Sequence, residues 1–244
     1  MYNESRSGPY VLTRGLSTNL ALPSLCDATA QCKSIVSAAE KNDAVQFLPR
    51  DTHRTVVKGY ELQRKLTLRQ LAGDTPMAMI HWDTANSVRM YFLKPLSRGT
   101  VAINSTNPLE PPLIDFQTMV DPADFDLVVA AFLKNRHIMS QPTMAVLGPQ
   151  EASPFANNIA NEAQLKEILR GVVEPSSAHQ CGTAAMMPKE LGGVVDPQMN
   201  VYGVKGLRVI DTSYWPMALT SAPTATTYAS GEKVRFCGDG DGKC

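Results

Sequence analysis

The strongest constraint on the fold is a change of hydrophobic period between residues 77 and 139. Residues 77–82 and 88–93 alternate in the manner of half-buried strands, and a polar Asp83-Thr-Ala-Asn86 turn separates them. Residues 99–104, after Pro95, read as a third strand. Connections this short suit adjacent antiparallel strands, because a parallel pair needs a crossover of a dozen or more residues. The pattern then turns helical. Asp121 fits an N-cap, Pro122 the first helical position, and acids fill the first turn. Apolar positions continue through Phe125, Val128, Val129, Phe132 and Ile138 until Pro142 ends the run. The expected architecture is α+β, an antiparallel meander over 77–104 covered by a helix over 122–139.

Elsewhere the signals are local. Residues 1–58 read as mostly irregular chain packing on the domain, with a short helix over 31–41. Residues 59–72 read as a helix with Leu62, Leu66 and Leu71 on one stripe and Gly73 as its stop. A helix over 162–170 has Asn161 as cap and Gly171 as stop. A short strand is expected at 207–211, and a last helix begins near Pro223 and carries Tyr228 and Glu232. The Gly/Asp-rich tail over 236–244 has the composition of disordered chain, so the main domain spans 59–235.

Charge is balanced, with 23 basic and 23 acidic residues, so nothing marks a nucleic-acid partner. No apolar run reaches the length of a membrane span. The polar N-terminus is unlike a secretion signal, which gives a cytoplasmic expectation. Of the five cysteines, Cys26 and Cys32 could pair, but two thiols are the expectation for such a chain. No cysteine or histidine cluster has metal-ligand spacing.

Three motifs carry chemistry. They are His179-Gln-Cys-Gly-Thr183, Gly192-Gly-Val-Val-Asp196, and Tyr202-Gly-Val-Lys-Gly-Leu-Arg-Val-Ile-Asp211. In this order they resemble the C-terminal signature of the glucose-methanol-choline (GMC) flavoprotein oxidoreductases. Asn3-Glu-Ser-Arg-Ser-Gly-Pro9, Lys94-Pro-Leu-Ser-Arg-Gly-Thr-Val101, Pro111-Pro-Leu-Ile-Asp115 and Asp121-Pro-Ala-Asp124 are similar to segments that precede that signature. Met186-Met-Pro-Lys-Glu-Leu-Gly-Gly193 is similar to fungal members, whose setting is small-molecule metabolism. The resemblance implies a substrate-binding domain, a bent antiparallel sheet covered by helices, without a complete FAD-binding Rossmann domain.

The resemblance also implies roles. The imidazole at His179 takes a substrate hydroxyl proton while hydride leaves for the flavin, a task suited to a group that titrates near neutrality. Asp211, Thr212 and Pro223 fall where the closing segment touches the flavin. Ser221 and Ala222 lie where substrate would meet His179, and His81, alternating with Met77 and Met79, could line the same pocket. The family's second catalytic His or Asn maps onto Ala222, which can neither give nor take a proton. No His or Asn occurs from Val201 to Cys244. The Gly-x-Gly-x-x-Gly turn that cradles the flavin pyrophosphate occurs nowhere in these residues.

Three readings follow. One is the substrate domain of an oxidoreductase that acts with FAD on an alcohol or aldehyde, FAD not being held by this chain alone. Another is a stand-alone, cofactor-free cyclase, dehydratase or isomerase using His179. The third is a non-catalytic binding subunit or truncated product. The eleven methionines suit an adaptable pocket for a small apolar or aromatic substrate. An apolar face around Val209, Tyr214, Trp215 and Met217 is expected to lie open, or to be covered by a homodimer partner or a separate flavin-domain chain.

Overall fold

In the computed structural model the described residues are 19–83, 87–156, 159 and 161–238. Two antiparallel strands form where alternation predicts them, β2 (Ala78–Asp83) and β3 (Ser87–Phe92), in register from Ala78 opposite Phe92 to Asp83 opposite Ser87. The turn expected to join them falls at 84–86, outside the described residues. Their third neighbour is β1 (Asn19–Ala21), which pairs along the free edge of β2. The expected third strand forms as β4 (Thr100–Ala102), but it pairs with β5 (Leu113–Asp115) in a separate hairpin. The chain leaves β3 through Lys94-Pro95, and proline cannot extend a ladder. The Asp124 carboxylate then accepts hydrogen bonds from the Leu96 and Ser97 amides at 2.8 and 2.9 Å. This bend steers β4 away from β3.

Residues expected to be irregular carry structure. Ser24 and Asp27 form a capping box on α1 (Leu25–Ala28), and α2 (Cys32–Lys41) follows. Cys26 and Cys32 form a disulfide with Cα atoms 5.0 Å apart, overturning the expectation of two thiols. The bridge is local, tying one helix to the start of the next, so neither the total cysteine count nor the chain length bears on it. Helix α3 (Arg54–Leu71) starts earlier than expected because the His53 ring accepts the Thr55 amide as an N-cap. Its buried stripe is Tyr60, Arg64, Thr67, Leu68 and Leu71, while Leu62 faces solvent.

Helix α4 (Pro122–Met139) begins as predicted, with Asp121 accepting the Ala123 amide. It covers the sheet. Val128, Val129 and Phe132 pack with Met90 and Phe92 of β3 and with Leu165 and Leu169 of α5 (Glu162–Val172). Helix α5 runs through Gly171 and ends at Val172, because Asn161 starts it by capping Gln164 and no positive-φ turn stops it at the glycine. A second cluster joins Leu25, Val36, Leu68, Leu71, Met77, Leu96 and Leu127. The last helix is α6 (Thr224–Gly238), and the tail beyond it lies outside the described residues. No strand forms at 207–211. That stretch is mostly exposed and makes single bridges only, such as Asn200 with Arg208. No helix of the described residues is long and apolar enough to cross a membrane.

Candidate functional site

The three sequence motifs fold into one irregular module. Gly182 has φ +92°, a left-handed conformation open to glycine, and it turns the chain just after His179. The Gly182, Ala184 and Met186 amides then donate to the Thr212, Ser213 and Tyr214 carbonyl oxygens. The Thr212 hydroxyl donates to the Gln180 carbonyl at 2.8 Å. The Val194 amide donates to Ala185, and Val195 is fully buried at the centre. The module docks on α3 at Gly59, where an added Cβ would collide with the Leu191 carbonyl.

His179 is exposed. Its Nδ1 lies 3.2 Å from the Ser177 hydroxyl, which leaves Nε2 free to face solvent. The Tyr91 ring of β3 lies near the imidazole with centroids 6.1 Å apart, and the His81 ring of β2 lies 6.3 Å from that of Tyr91. His81 thus neighbours Tyr91 but lies deeper in the fold, 8% exposed.

Ser221 and Ala222 are exposed and Pro223 half-buried, just before α6. Among the described residues no hydrogen bond joins them to His179. The Asp211 carboxylate accepts the Ser213 amide at 2.8 Å, capping a single helical turn. Thus the module seats Asp211 and Thr212 beside the His179 turn, while Ser221, Ala222 and Pro223 stand further along the closing segment.

The closing segment is tied to the sheet by a residue that sequence reasoning missed. Lys94 is 5% exposed and its Nζ donates to the Ala218 carbonyl at 2.9 Å. Burial pushes its pKa down. Cys181 is close enough to feel both Lys94 and Arg98. Burial pushes this thiol's pKa up, and the two cations pull it partly back. Tyr91 was missed too. It shares a face with His81 only through the β2–β3 register, which the sequence alone does not specify.

The expected open apolar face is partly corrected. Trp215 is 6% exposed, with its ring edge-on to Tyr214. The exposed apolar residues nearby in sequence are Val204, Leu207 and Ile210. A tryptophan buries more area than its neighbours and is drawn inward first. A cleft of about 540 Å³ opens elsewhere, at the start of α3, between His53, Thr55, Val56, Lys189 and Gly192. It contains none of the predicted site residues. His179 lies instead on an open surface.

The residues present do not fit the phosphates of a flavin dinucleotide. Asp211, Thr212 and Pro223 are at the surface, but the glycine-rich turn needed for a pyrophosphate is absent from these 244 residues. No group of three or more metal-ligating side chains occurs among the described residues.

Comparison with known proteins agrees with the fold and the motifs. An FAD-dependent oxidoreductase from Chaetomium thermophilum superimposes with a TM-score of 0.87 at 45% identity, over 96% of this chain and 40% of that one. A fungal aryl-alcohol oxidase superimposes with a TM-score of 0.81 at 34% identity, over 93% and 39%. The dehydrogenase xptC of Emericella nidulans is 42% identical over 96% of this chain and 38% of its own length. Versicolorin B synthase of Aspergillus parasiticus is 39% identical over 61% of this chain and 23% of its own. The chain thus spans about two fifths of the relatives it matches most fully. FAD is the cofactor named for the Chaetomium relative. The family model for GMC oxidoreductases matches residues 95–231, and the chain belongs to that family.

Proposed function

We propose that this chain is the substrate-binding part of an oxidoreductase that acts on a small aromatic alcohol or aldehyde with FAD, the cofactor being held mainly by residues outside these 244. The observation that carries the reading is the exposed His179 imidazole, set by the Gly182 turn and Ser177 beside the Tyr91 ring. Two relatives support the aromatic class. One is named an aryl-alcohol oxidase, and the other is solved with a butanamide fragment bearing pyridine and thiophene rings. In this reading His179 accepts the hydroxyl proton at Nε2, and the Ser177 contact holds the ring for it. When bound, the flavin would take up the hydride.

The test separates the cofactor from the imidazole. The chain alone should not retain FAD through gel filtration. Supplied with the flavin-binding part of a relative, it should bleach the flavin anaerobically when an aryl alcohol is added. His179→Ala should slow that bleaching at least about a hundredfold, the low end for general acid–base catalysis. Bleaching at the native rate in the variant would remove His179 from the chemistry.

A second reading has its own support. The resemblance maps the family's second base onto Ala222, and one relative is named a synthase rather than a dehydrogenase. A chain acting without flavin would use His179 alone as acid and base, for a cyclisation, dehydration or isomerisation. Flavin-free turnover abolished by His179→Ala would select this reading over the first.

A further inference from the structure

The three-stranded sheet puts its two faces to different uses. Ala78, Ile80, Met90 and Phe92 alternate onto one face. Ala78 and Ile80 are buried, and Met90 and Phe92 pack with the cluster on α4. The intervening residues, Met79, His81, Arg89 and Tyr91, share the other face by register. On that face Met79 and His81 are buried while Tyr91 is half-exposed. Three rings therefore run from the interior outward, from His81 through Tyr91 to His179.

Two features set Tyr91 apart from a packing residue. Its hydroxyl has no hydrogen-bond partner among the described residues, whereas a tyrosine buried for packing usually finds one. Tyr60 shows the usual behaviour here, with its hydroxyl donating to the Leu96 carbonyl at 3.1 Å. Tyr91 also stands on a strand paired to β2 along its whole length. Its backbone is held in place before any ligand arrives, so little backbone freedom remains to be lost on binding.

We propose that Tyr91 is the specificity-determining residue of the His179 site, the platform against which the ring of an aromatic alcohol stacks with its carbinol toward the imidazole. This rests on the first reading above for which surface meets substrate, and it adds the residue that selects the substrate class. The preference for an aromatic over a saturated ring belongs to Tyr91, and the proton transfer belongs to His179.

The experiment reads binding, so it is independent of redox turnover. The full 244-residue chain is titrated with benzyl alcohol and with cyclohexylmethanol, its saturated counterpart, by ligand-observed NMR. The native chain should bind benzyl alcohol more tightly by about two- to tenfold, the range for one aromatic pair. Tyr91→Leu should erase the difference and Tyr91→Phe should preserve it. Saturation transfer from the Tyr91 ring protons to the ligand should be seen in the native chain, which keeps the test open if Tyr91→Leu fails to fold. Equal binding of the two alcohols, binding of neither, or an aryl preference that survives Tyr91→Leu would overturn the assignment. An aryl preference in a protein that never bleaches flavin would refute the redox reading and leave the role of Tyr91 standing.

Discussion

Lys94 Nζ donates to the Ala218 carbonyl oxygen at 2.9 Å, joining the chain just past β3 to the segment that leads into α6. The ammonium forms no ion pair with a carboxylate among the described residues. Its burial lowers the folded-state pKa below the ordinary 10.5. Between the two values the unfolded chain holds more protons, so stability should rise with pH across that window and fall as pH drops through the folded value. Lys94→Met should remove this component. The difference in urea midpoint between native and variant, followed from neutral pH toward 10.5, should change with pH in that sense. A difference that stays flat across the window would show that burial does not shift Lys94.

Arg64 and Asp121 form an ion pair at 2.8 Å in the interior, and both are buried. Asp121 also caps α4, and its own amide donates to the Ser97 hydroxyl. Arg64→Met leaves that carboxylate buried and uncompensated, and it should destabilise the protein by about 3–5 kcal/mol. Asp121→Asn added to Arg64→Met should recover part of the loss, because the amide keeps a capping oxygen without the charge. Chemical denaturation of the two variants measures both effects. Additive losses would show that the pair is not coupled.

The cysteines should report the site by their reactivity. Burial raises the Cys181 thiol pKa, with Arg98 and Lys94 only partly offsetting it. The thiolate is the reactive form. Iodoacetamide labelling of the Cys181 peptide should therefore be slower than that of a free thiol near neutral pH, and should accelerate only as pH passes the ordinary thiol range. Lys94→Met should slow it further. Without reductant, Cys26 and Cys32 should remain unlabelled, since they are paired. Peptide mass mapping reads all three sites, and rapid labelling of Cys181 at neutral pH would contradict its burial.

Much of the fold was legible in local signals. The Asp121-Pro122 start of α4 and the Asn161 cap of α5 appear where the residues predict them, because a cap acts within one turn of its own helix. The alternation of β2 and β3 was equally plain. The fate of β4 was not, since it depends on Asp124 reaching back to the Leu96 and Ser97 amides across a long stretch of chain. The start of α3 was misplaced because histidine is an uncommon N-cap.

By itself the sequence determined the family and the α+β class. Those rest on residue types in order, which one chain carries in full. Only the tertiary structure decided that Tyr91 neighbours His179, that His81 neighbours Tyr91, that Lys94 bonds the Ala218 carbonyl, and that Cys26 pairs with Cys32. The first three depend on strand register or on a loop returning to a distant element, and the disulfide depends on how two consecutive helices meet. A one-residue slip in that register would turn Tyr91 to the α4 face and carry Arg89 there with it. Packing of Met90 and Phe92 against Val128, Val129 and Phe132 holds the observed register.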